Sequence, residues 1–394
     1  MTSTHTLILG GGFGGIAAAN ALRSLLPIEH DIVVIDETAD FHIGAGNTWV
    51  MLGRRTPEQI SQSRRALLDP GVKFIQAQIL GLDLAARSLA LPGQTLTWDY
   101  LVIALGAALD MAKTPGLAEA AHTFYTLDGA QRLKGALDQF SGGELVILIP
   151  KAPFKCPPAP YEAAMLLHDS LRSRGLLEKT RIAIYTVEGA PMATAGPEMG
   201  QYIKAELAGR GIAFHPQKAT RQVEPAAKRI LFEDGSQAAY DLLIAVPPHE
   251  APRVVQAAGL TNQSGWIPVD PQTLQVQGAP EAGEIYAIGD VTAVDLPGRF
   301  KPEIALSLPK AGVFAEAHGR VVAGQIAAGI LGEASGEPFD GKGFCYIELG
   351  GDIAVRGEGA FFELPHPLMV KRPADAAQFR DKLEWVAAQL KTLR

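Results

Sequence analysis

The chain has 394 residues, 47% hydrophobic and 20% charged, which is typical of a soluble globular protein of two or three domains. Its net charge of −7, without a block of basic residues, argues against a nucleic-acid partner. No apolar run approaches the roughly 18 residues that a membrane span needs, and two cysteines are too few for a disulfide scaffold or a thiolate metal cage.

Two further absences shape the expectations. The nine histidines are scattered, without the spacing of metal ligands, so no metal is expected. The N-terminus enters its first strand almost at once, which leaves no room for a signal peptide and predicts a cytoplasmic protein.

The first predicted elements are a strand, a glycine turn and a helix, in THTLILGGGFGGIAAANALRSLL. Gly10, Gly12 and Gly15 fit the pattern G-x-G-x-x-G, which permits a tight turn, a close approach to a pyrophosphate, and packing of the helix on the strand. The next strand ends at Asp36, 26 residues after Gly10, where a carboxylate can accept hydrogen bonds from a ribose. The segment predicts a dinucleotide site, whose candidate contacts are Gly10, Gly12, Phe13, Gly14, Gly15, Asp36 and Glu37.

Two later segments indicate which dinucleotide is bound. WDYLVIALGAA (98–108), with Ala104 and Gly106, resembles the strand and turn that close the first half of two-dinucleotide-domain flavoproteins. EIYAIGDV (284–291), with Gly289 and Asp290, resembles their second fingerprint, in which the aspartate contacts the ribityl and pyrophosphate region. Together these resemblances imply FAD in place of NAD at the first site.

The chain also repeats itself. A strand at Leu7 lies 94 residues before Leu101, and a strand at Leu145 lies 97 residues before Leu242. The matched spacing predicts an α/β protein with two Rossmann-like dinucleotide-binding domains, the second inserted into the first, and a small α+β C-terminal segment. The predicted boundaries are 1–109 and 249–338 for the FAD-binding domain, 110–248 for the second domain, and 339–394 for the C-terminal segment.

The second domain begins with a strand followed by IPKAPFKCPPAPYE (149–162), where a second glycine loop is expected. This loop is rich in proline and has no glycine. Because proline lacks an N–H donor and fixes φ, the loop cannot cradle a pyrophosphate as a glycine loop does. We therefore expect the second domain not to bind NAD(P)H.

Cys156 lies in this loop, and it is either a small buried hydrophobe or a reactive thiol. Lys151 and Lys155 flank it, and nearby cations favour a thiolate. Pro160 suits the first turn of a following helix, which places Glu162 in that turn as a candidate base. The helix dipole lowers the pKa of such a carboxyl and burial raises it, so the sequence leaves the direction open.

Cys345 lies 189 positions further on, in the strand-like run GKGFCYIELGG. The sequence alone leaves open whether the two cysteines meet.

At this point a family resemblance is explicit. PFKCPPAPYE resembles the active-site segment of the flavoprotein subunit of flavocytochrome c sulfide dehydrogenase and of its relative sulfide:quinone oxidoreductase, and GFCYIELG resembles the segment with the partner cysteine. SLPKAGVFAEAHGRVVAGQI (307–326) resembles the helix that abuts the flavin pyrimidine ring, and FHIGAGNTWVMLGRR (41–55) resembles the post-ribose loop. The resemblance adds three cofactor contacts: Trp49, Lys310 and Ala311.

The resemblance also implies a reaction. Cys156 and Cys345 would form a redox-active disulfide beside the flavin, which hydrosulfide attacks to give a persulfide and a thiolate. The thiolate would pass two electrons to FAD, with Glu162 as the acid–base residue and the flanking lysines attracting the sulfur anion. The substrate would be sulfide, a persulfide or a low-molecular-weight thiol, and the acceptor a quinone.

Three departures from the family pattern limit the resemblance. FYTLDGA (124–130) has neither the third cysteine nor the following histidine of many quinone-linked members, so long polysulfur chains are not expected. The post-ribose loop has no cysteine, so FAD should be non-covalent. The missing export signal argues against a periplasmic cytochrome c acceptor, which is the alternative to quinone.

The tail predicts a helix with one apolar stripe, formed by Phe379, Leu383, Val386, Leu390 and Leu393. One interpretation is a surface helix that packs on the body or on a second subunit of a homodimer. The other is a peripheral helix on the inner membrane face, near a quinone site.

Two other functions compete with sulfide oxidation. The first is an NAD(P)H-dependent flavin disulfide reductase or NADH dehydrogenase, which the missing second glycine loop opposes. The second is a scaffold or sensor in which FAD is structural, which the two cysteines and Glu162 oppose.

Overall fold

The structure is a computed structural model that describes residues 3–279, 284–334 and 336–393. The predicted ranges 249–338 and 339–394 each extend over residues outside this description. Helices and strands alternate along much of the described chain, and parallel strands form its two largest sheets. The predicted α/β fold is confirmed.

The first set of elements lies between residues 3 and 109. Its strands are β1 (His5–Leu9), β2 (Asp31–Asp36), β3 (Asp40–His42), β4 (Ser61–Ser63), β5 (Val72–Gln76), β6 (Gly81–Asp83), β7 (Ser88–Leu91), β8 (Gln94–Thr97), β9 (Tyr100–Ile103) and β10 (Ala108–Leu109). Its helices are α1 (Phe13–Leu25), α2 (Asn47–Met51) and α3 (Arg64–Leu67). β9, β1, β2 and β5 are parallel neighbours in one sheet, β6 to β8 form a separate antiparallel sheet, and β3 pairs with β4.

The second set lies between residues 110 and 248 and follows the same plan. Its strands are β11 (Gly143–Ile149), β12 (Thr180–Thr186), β13 (Ala213–His215), β14 (Thr220–Glu224), β15 (Arg229–Phe232), β16 (Gln237–Ala239) and β17 (Leu242–Ala245). Its helices are α4 (Leu117–Ala120), α5 (Leu127–Gln139), α6 (Ala159–Ser173) and α7 (Pro197–Gly209). The parallel sheet has the order β13–β12–β11–β17, and β14 to β16 form an antiparallel sheet.

Strand register reproduces the internal repeat. Leu7 of β1 pairs with Leu101 of β9, and Leu145 of β11 pairs with Leu242 of β17. These are the two pairs from which the repeat was predicted. The central strands β1 and β11 are buried over most of their length, which is why both appear in the sequence as continuous apolar runs.

The remaining elements complete the first sheet and form a C-terminal sheet. The strands are β18 (His249–Glu250), β19 (Ile267–Pro268), β20 (Ile285–Ala287), β21 (Thr292–Ala293), β22 (Lys342–Gly350), β23 (Ile353–Ala360) and β24 (Leu368–Lys371). The helices are α8 (Arg253–Ala257), α9 (Gly312–Leu331) and α10 (Ala376–Gln389). β20 joins the first sheet beside β9, β18 pairs with β10, and β22 to β24 form an antiparallel sheet.

The close packing of α1 on α9 brings the N-terminus of α9 near the glycine loop. A Cβ atom on Gly319 would lie 2.5 Å from the carbonyl oxygen of Gly14, so the two helices touch through their backbones. A Cβ on Gly312, the first residue of α9, would lie 2.7 Å from the ring of Phe13. The carboxyl ends of β1 and β20 and the start of α9 therefore lie close together, at the edge where open α/β sheets bind ligands.

Candidate active site

The loop between β11 and α6 holds Cys156 in a fixed conformation. The N–H of Cys156 donates to the carbonyl of Lys310 (2.7 Å), and its carbonyl accepts from the N–H of Ala159 (2.9 Å). The φ angle of Cys156 is +52°, in the left-handed region that residues with a side chain rarely adopt. Two backbone hydrogen bonds and an unusual backbone angle therefore set the direction of the thiol.

Cys345 comes to the same site from the C-terminal sheet, on β22 opposite Gly357 of β23. Both cysteines are free thiols in this structure. Charge on Cys345 raises the pKa of Cys156, and the charges of Glu162 and Lys382 act on both thiols. The fold thus brings together the three predicted catalytic residues, while the disulfide stays a prediction.

The lysines that flank Cys156 in the sequence are not the main influence on the pKa of its thiol. Burial raises the pKa of Cys156 to about 12, and the nearby Glu162 carboxylate acts in the same direction. The pKa of Cys345 is raised to about 12 for the same two reasons. Lys151 is exposed, and the cation that opposes the rise at both thiols is Lys382. Near neutral pH the reduced cysteines are therefore protonated, and a base is needed to form a thiolate.

Glu162 belongs to a buried cluster of three charged side chains, in which the exposed fraction is 4% for Glu162, 2% for Lys382 and 1% for Glu348. The ammonium of Lys382 lies between the two carboxylates, 3.0 Å from Oε1 of Glu162 and 2.6 Å from Oε1 of Glu348. The N–H of Glu348 donates to Oε2 of Glu162 (3.0 Å). A cluster of this kind is stable when buried because each charge has opposite charges or donors in contact.

Two residues of α2, Thr48 and Trp49, donate further hydrogen bonds to the carboxylates of this cluster. The indole N–H of Trp49 donates to Oε1 of Glu348 (2.7 Å), and the hydroxyl of Thr48 donates to Oε1 of Glu162 (3.4 Å). The Lys382 ammonium also lies 5.2 Å from the centre of the Trp49 ring. Trp49, predicted as a cofactor contact, thus directs its polar atom to Glu348.

The sequence analysis missed Lys382 and Glu348. Glu348 follows Ile347 and precedes Leu349, and all three are buried, so strand alternation gives no sign that a carboxylate points inward. Lys382 had a usable signal, because it lies three residues after Phe379 and four before Val386 and so shares the face of the apolar stripe.

The glycine loop has the geometry that its pattern predicts. Gly10 has φ +99°, and a Cβ atom there would lie 2.4 Å from the carbonyl oxygen of Ala104. A Cβ on Gly15 would lie 1.9 Å from the carbonyl oxygen of Gly10, so α1 packs directly on the turn. Around Gly12, by contrast, no atom lies within 4 Å of the Cβ position. Gly106, with φ +65°, is similarly open.

Asp36 is held against this loop. Its Oδ2 accepts from the N–H of Gly11 (2.8 Å) and lies 3.3 Å from a guanidinium nitrogen of Arg64. Arg64, which the sequence analysis missed, also donates to the carbonyl of Gly11 (2.8 Å) and is buried. Glu37 is exposed beside this group.

The second fingerprint lies at the N-terminus of α9. Gly289 has φ +71°, and its N–H donates to Nδ1 of His318 (3.2 Å). Lys310 donates through Nζ to the carbonyls of Asp290 (2.6 Å) and Thr292 (3.0 Å), so its ammonium fixes the turn. Ala311 precedes the first residue of α9.

These residues fit FAD. Oδ1 of Asp290 is buried and has no hydrogen-bond partner among the described residues, and burial raises the pKa of this carboxyl. A ribityl hydroxyl would satisfy that oxygen, as the resemblance implies. The open side of Gly12 would admit a pyrophosphate, and the N-termini of α1 and α9, which have no side-chain cap, suit the polar groups of the cofactor.

We expect the purified protein to be yellow and acid or heat to release all of its FAD. Gly12→Val should lower FAD content, since the new side chain would fill the open side of the loop without meeting protein atoms. Gly135→Ala, at an exposed and equally open position of α5, is the control and should retain FAD. Flavin that stays on the precipitated polypeptide, or full FAD content in Gly12→Val, would contradict this expectation.

The C-terminal helix α10 packs on the body of the protein. Val386 and Leu393 of the predicted stripe are buried, and the ring of Trp385 stacks on that of Phe13 with centroids 6.0 Å apart. The interpretation of a helix packed on the body is supported. Contact with a membrane or a second subunit stays a prediction, and no helix among the described residues has the length and apolarity to cross a bilayer.

The chain is similar to several known proteins. The family model "Pyridine nucleotide-disulphide oxidoreductase" matches residues 4–149, and the model for the central part of the sulfide dehydrogenase (flavocytochrome c) flavoprotein chain matches residues 130–247. The chain is 27% identical over 303 residues to the mitochondrial sulfide:quinone oxidoreductase of Mus musculus, covering 73% of this chain and 65% of the mouse protein. It is 27% identical over 337 residues to the sulfide-quinone reductase of Aquifex aeolicus, covering 82% and 76%.

A solved structure shows the same fold. The sulfide:quinone oxidoreductase from Aquifex aeolicus superposes with a TM-score of 0.87 at 23% identity, over 99% of this chain and 92% of that one. The two family models, which overlap at residues 130–149, and the curated relatives agree with the resemblance seen in the cysteine segments. The matches therefore support the resemblance of this chain to the FAD-binding sulfide dehydrogenase flavoproteins, among them the flavocytochrome c subunit and sulfide:quinone oxidoreductase.

Proposed function

We propose that this chain is an FAD-dependent oxidoreductase that oxidises sulfide, or a persulfide or small thiol, and passes the electrons through the flavin to a quinone. The observation that carries the proposal is that α6, which follows Cys156, packs on β22, which carries Cys345, and that the buried Glu162 of α6 is hydrogen-bonded to β22. That site adjoins the second FAD fingerprint. The backbone N–H of Cys156 donates a hydrogen bond to the carbonyl of Lys310, and the charge of Asp290 raises the pKa of the Cys156 thiol.

The chemistry uses the two cysteines as one unit. Hydrosulfide attacks one sulfur of a Cys156–Cys345 disulfide, a new S–S bond forms, and the old one breaks with its electron pair on the other sulfur. The products are a cysteine persulfide and a cysteine thiolate, so the sulfide sulfur has been oxidised by two electrons. Bound FAD supplies the acceptor for those two electrons. Glu162 takes up the proton that the incoming sulfur species or its persulfide releases.

A cavity beside the cysteine strand suits a quinone. It has a volume of about 460 Å³ and lies between α9 and the C-terminal sheet. Phe344, next to Cys345, lines it together with apolar side chains of α9 and β24, and the charged Arg320, Arg356 and Glu358 also line it. Lys342 is a further charged residue of the lining, so a quinone here would meet apolar side chains for its ring and charged groups for its carbonyl oxygens.

The second parallel sheet supports a sulfur donor in preference to a nicotinamide. Its first strand, β11, leads into the proline-rich loop that positions Cys156, and Pro160 lies in the first turn of α6. The place of a second phosphate-binding loop is thus occupied by the segment that carries the cysteine.

The proposal is tested by measuring which electron donors reduce the flavin and which electron acceptors reoxidise it. Anaerobic enzyme is mixed with sulfide, NADH or NADPH, and oxidation of the reduced flavin is then followed with a short-chain quinone or cytochrome c. We expect fast reduction by sulfide alone and fast reoxidation by quinone. Rapid, stoichiometric reduction of the flavin by NADH or NADPH would favour the NAD(P)H-dependent reductase hypothesis. Reoxidation by cytochrome c but not by quinone would show that cytochrome c is the electron acceptor.

A further inference from the structure

We propose that Lys382, carried by the C-terminal helix α10, is a positioning residue that governs proton exchange at Glu162 and makes this helix part of the sulfur site. The inference rests on the proposed function, because it gives Lys382 a part in the same reaction. Nothing in the cysteine segments points to it, since Lys382 lies 220 positions from Glu162 in the sequence.

The two carboxylates of the cluster differ in the donors that they accept. Oε1 of Glu348 accepts both the Lys382 ammonium (2.6 Å) and the Trp49 indole N–H (2.7 Å). Two donors thus meet at a single oxygen of Glu348. Glu162 has the longer contact with the ammonium (3.0 Å), and its donors are divided between its two oxygens, so we assign proton exchange to Glu162.

The charges around Glu162 act in opposite directions. Burial raises the pKa of Glu162, the ammonium of Lys382 lowers it, and the carboxylate of Glu348 raises it. The other titratable groups that face it are the thiols of Cys156 and Cys345 and the hydroxyl of Tyr125, each of which interacts electrostatically with Glu162. Because the thiols and the phenol are neutral near neutral pH, Lys382 and Glu348 carry the charges that set its protonation.

Burial alone would lower the pKa of Lys382, yet the two carboxylates outweigh burial and raise it. Lys382 therefore remains a cation across the pH range in which Glu162 titrates. A permanent positive charge in contact with the base keeps a fraction of Glu162 ionised and ready to accept a proton.

The position of Lys382 depends on the docking of α10. Asn20 of α1 donates through Nδ2 to the carbonyl of Leu393 (2.8 Å), and Val386 lies in the core. The segment that follows α10 is thus attached to α1, while the lysine of α10 contacts the two buried carboxylates. Sulfur chemistry at Glu162 therefore requires a docked C-terminus.

The test measures the pH at which flavin reduction by sulfide is half-maximal on the acid side. In Lys382→Met the base loses its stabilising cation, its pKa rises, and this midpoint should move to higher pH by about 1 to 3 units. Lys382→Arg keeps the positive charge, so its pH midpoint of flavin reduction should equal that of the unmodified protein. Lys391→Met removes an exposed lysine just beyond the same helix and should change nothing.

A second variant keeps the test decisive if Lys382→Met does not fold. Glu348→Gln removes the anion that raises the pKa of Glu162, so its midpoint should move to lower pH, opposite to that of Lys382→Met. If Lys382→Met loses FAD or thermal stability while the pH midpoint of flavin reduction stays unchanged, Lys382 has only a structural role and the proposal is contradicted. Midpoints that shift in the same direction in both variants would also overturn the proposal.

An infrared titration separates this inference from the proposed function. The carbonyl band of protonated Glu162, identified by its loss in Glu162→Gln, is followed against pH in the resting FAD-loaded protein without any sulfur substrate. The band should titrate at higher pH in Lys382→Met than in the unmodified protein. If sulfide fails to reduce the flavin, only the proposed function is contradicted. If the carbonyl band of Glu162 does not shift in Lys382→Met, the role of Lys382 is contradicted.

Discussion

Replacing either cysteine by serine should abolish reduction of the flavin by sulfide. Cys156→Ser and Cys345→Ser each leave one sulfur, so no disulfide can form and hydrosulfide meets no electrophile. The effect should be a complete loss of sulfide-dependent bleaching, measured by anaerobic stopped-flow absorbance. We expect it to be the largest effect of any single side-chain change at this site.

The controls for these variants isolate the chemical step. FAD content and thermal stability should match the unmodified protein, since serine is nearly isosteric and neither residue is assigned to cofactor binding. Dithionite, which needs no cysteine, should reduce the flavin of both variants fully. A Cys345→Ser variant that sulfide reduces at the original rate would contradict the two-cysteine account.

Glu162→Gln should slow flavin reduction by roughly 10²- to 10⁴-fold, the usual range for a lost general acid–base group. Glutamine is close to isosteric and can still accept the N–H of Glu348, so the fold around the cluster should persist. The loss is kinetic, because an amide cannot take up the proton that the sulfur species releases.

The pH profile gives the same variant a second signature. Burial raises the pKa of Glu162, and the base acts only when it is ionised, so the rate should fall as pH drops through that raised value. In Glu162→Gln this acid limb should vanish, leaving a low and flatter rate. Glu178→Gln, at an exposed position just after α6, is the matched control. Retention of the acid limb in Glu162→Gln would assign the base to another residue.

Much of the fold could be predicted because its signals are local in sequence. Buried parallel strands such as β1 and β11 are continuous apolar runs, and the glycine pattern after β1 describes a turn of only six residues. The spacing from Leu7 to Leu101 and from Leu145 to Leu242 then predicted the correct strand pairs, since the two parallel sheets are built on one plan.

The electrostatics of the site could not be predicted, because they depend on contacts between distant segments. Lysines adjacent to Cys156 in sequence suggested a thiolate, but burial and the charge of Glu162 determine its pKa. The cation in contact with Glu162 is Lys382 of the last helix, and its second partner, Glu348, lies between two buried residues of β22. Sequence neighbours describe the chain around a residue, whereas a pKa depends on everything folded against it.

The most direct test of the central claim is an anaerobic titration of the resting protein with sulfide, followed by flavin absorbance and acid-quenched peptide mass analysis. The account predicts bleaching of the flavin and an additional sulfur atom on the peptide that contains Cys156 or Cys345. A flavin that excess sulfide leaves oxidised, while dithionite still reduces it, would contradict the assignment of these cysteines as the entry point for electrons.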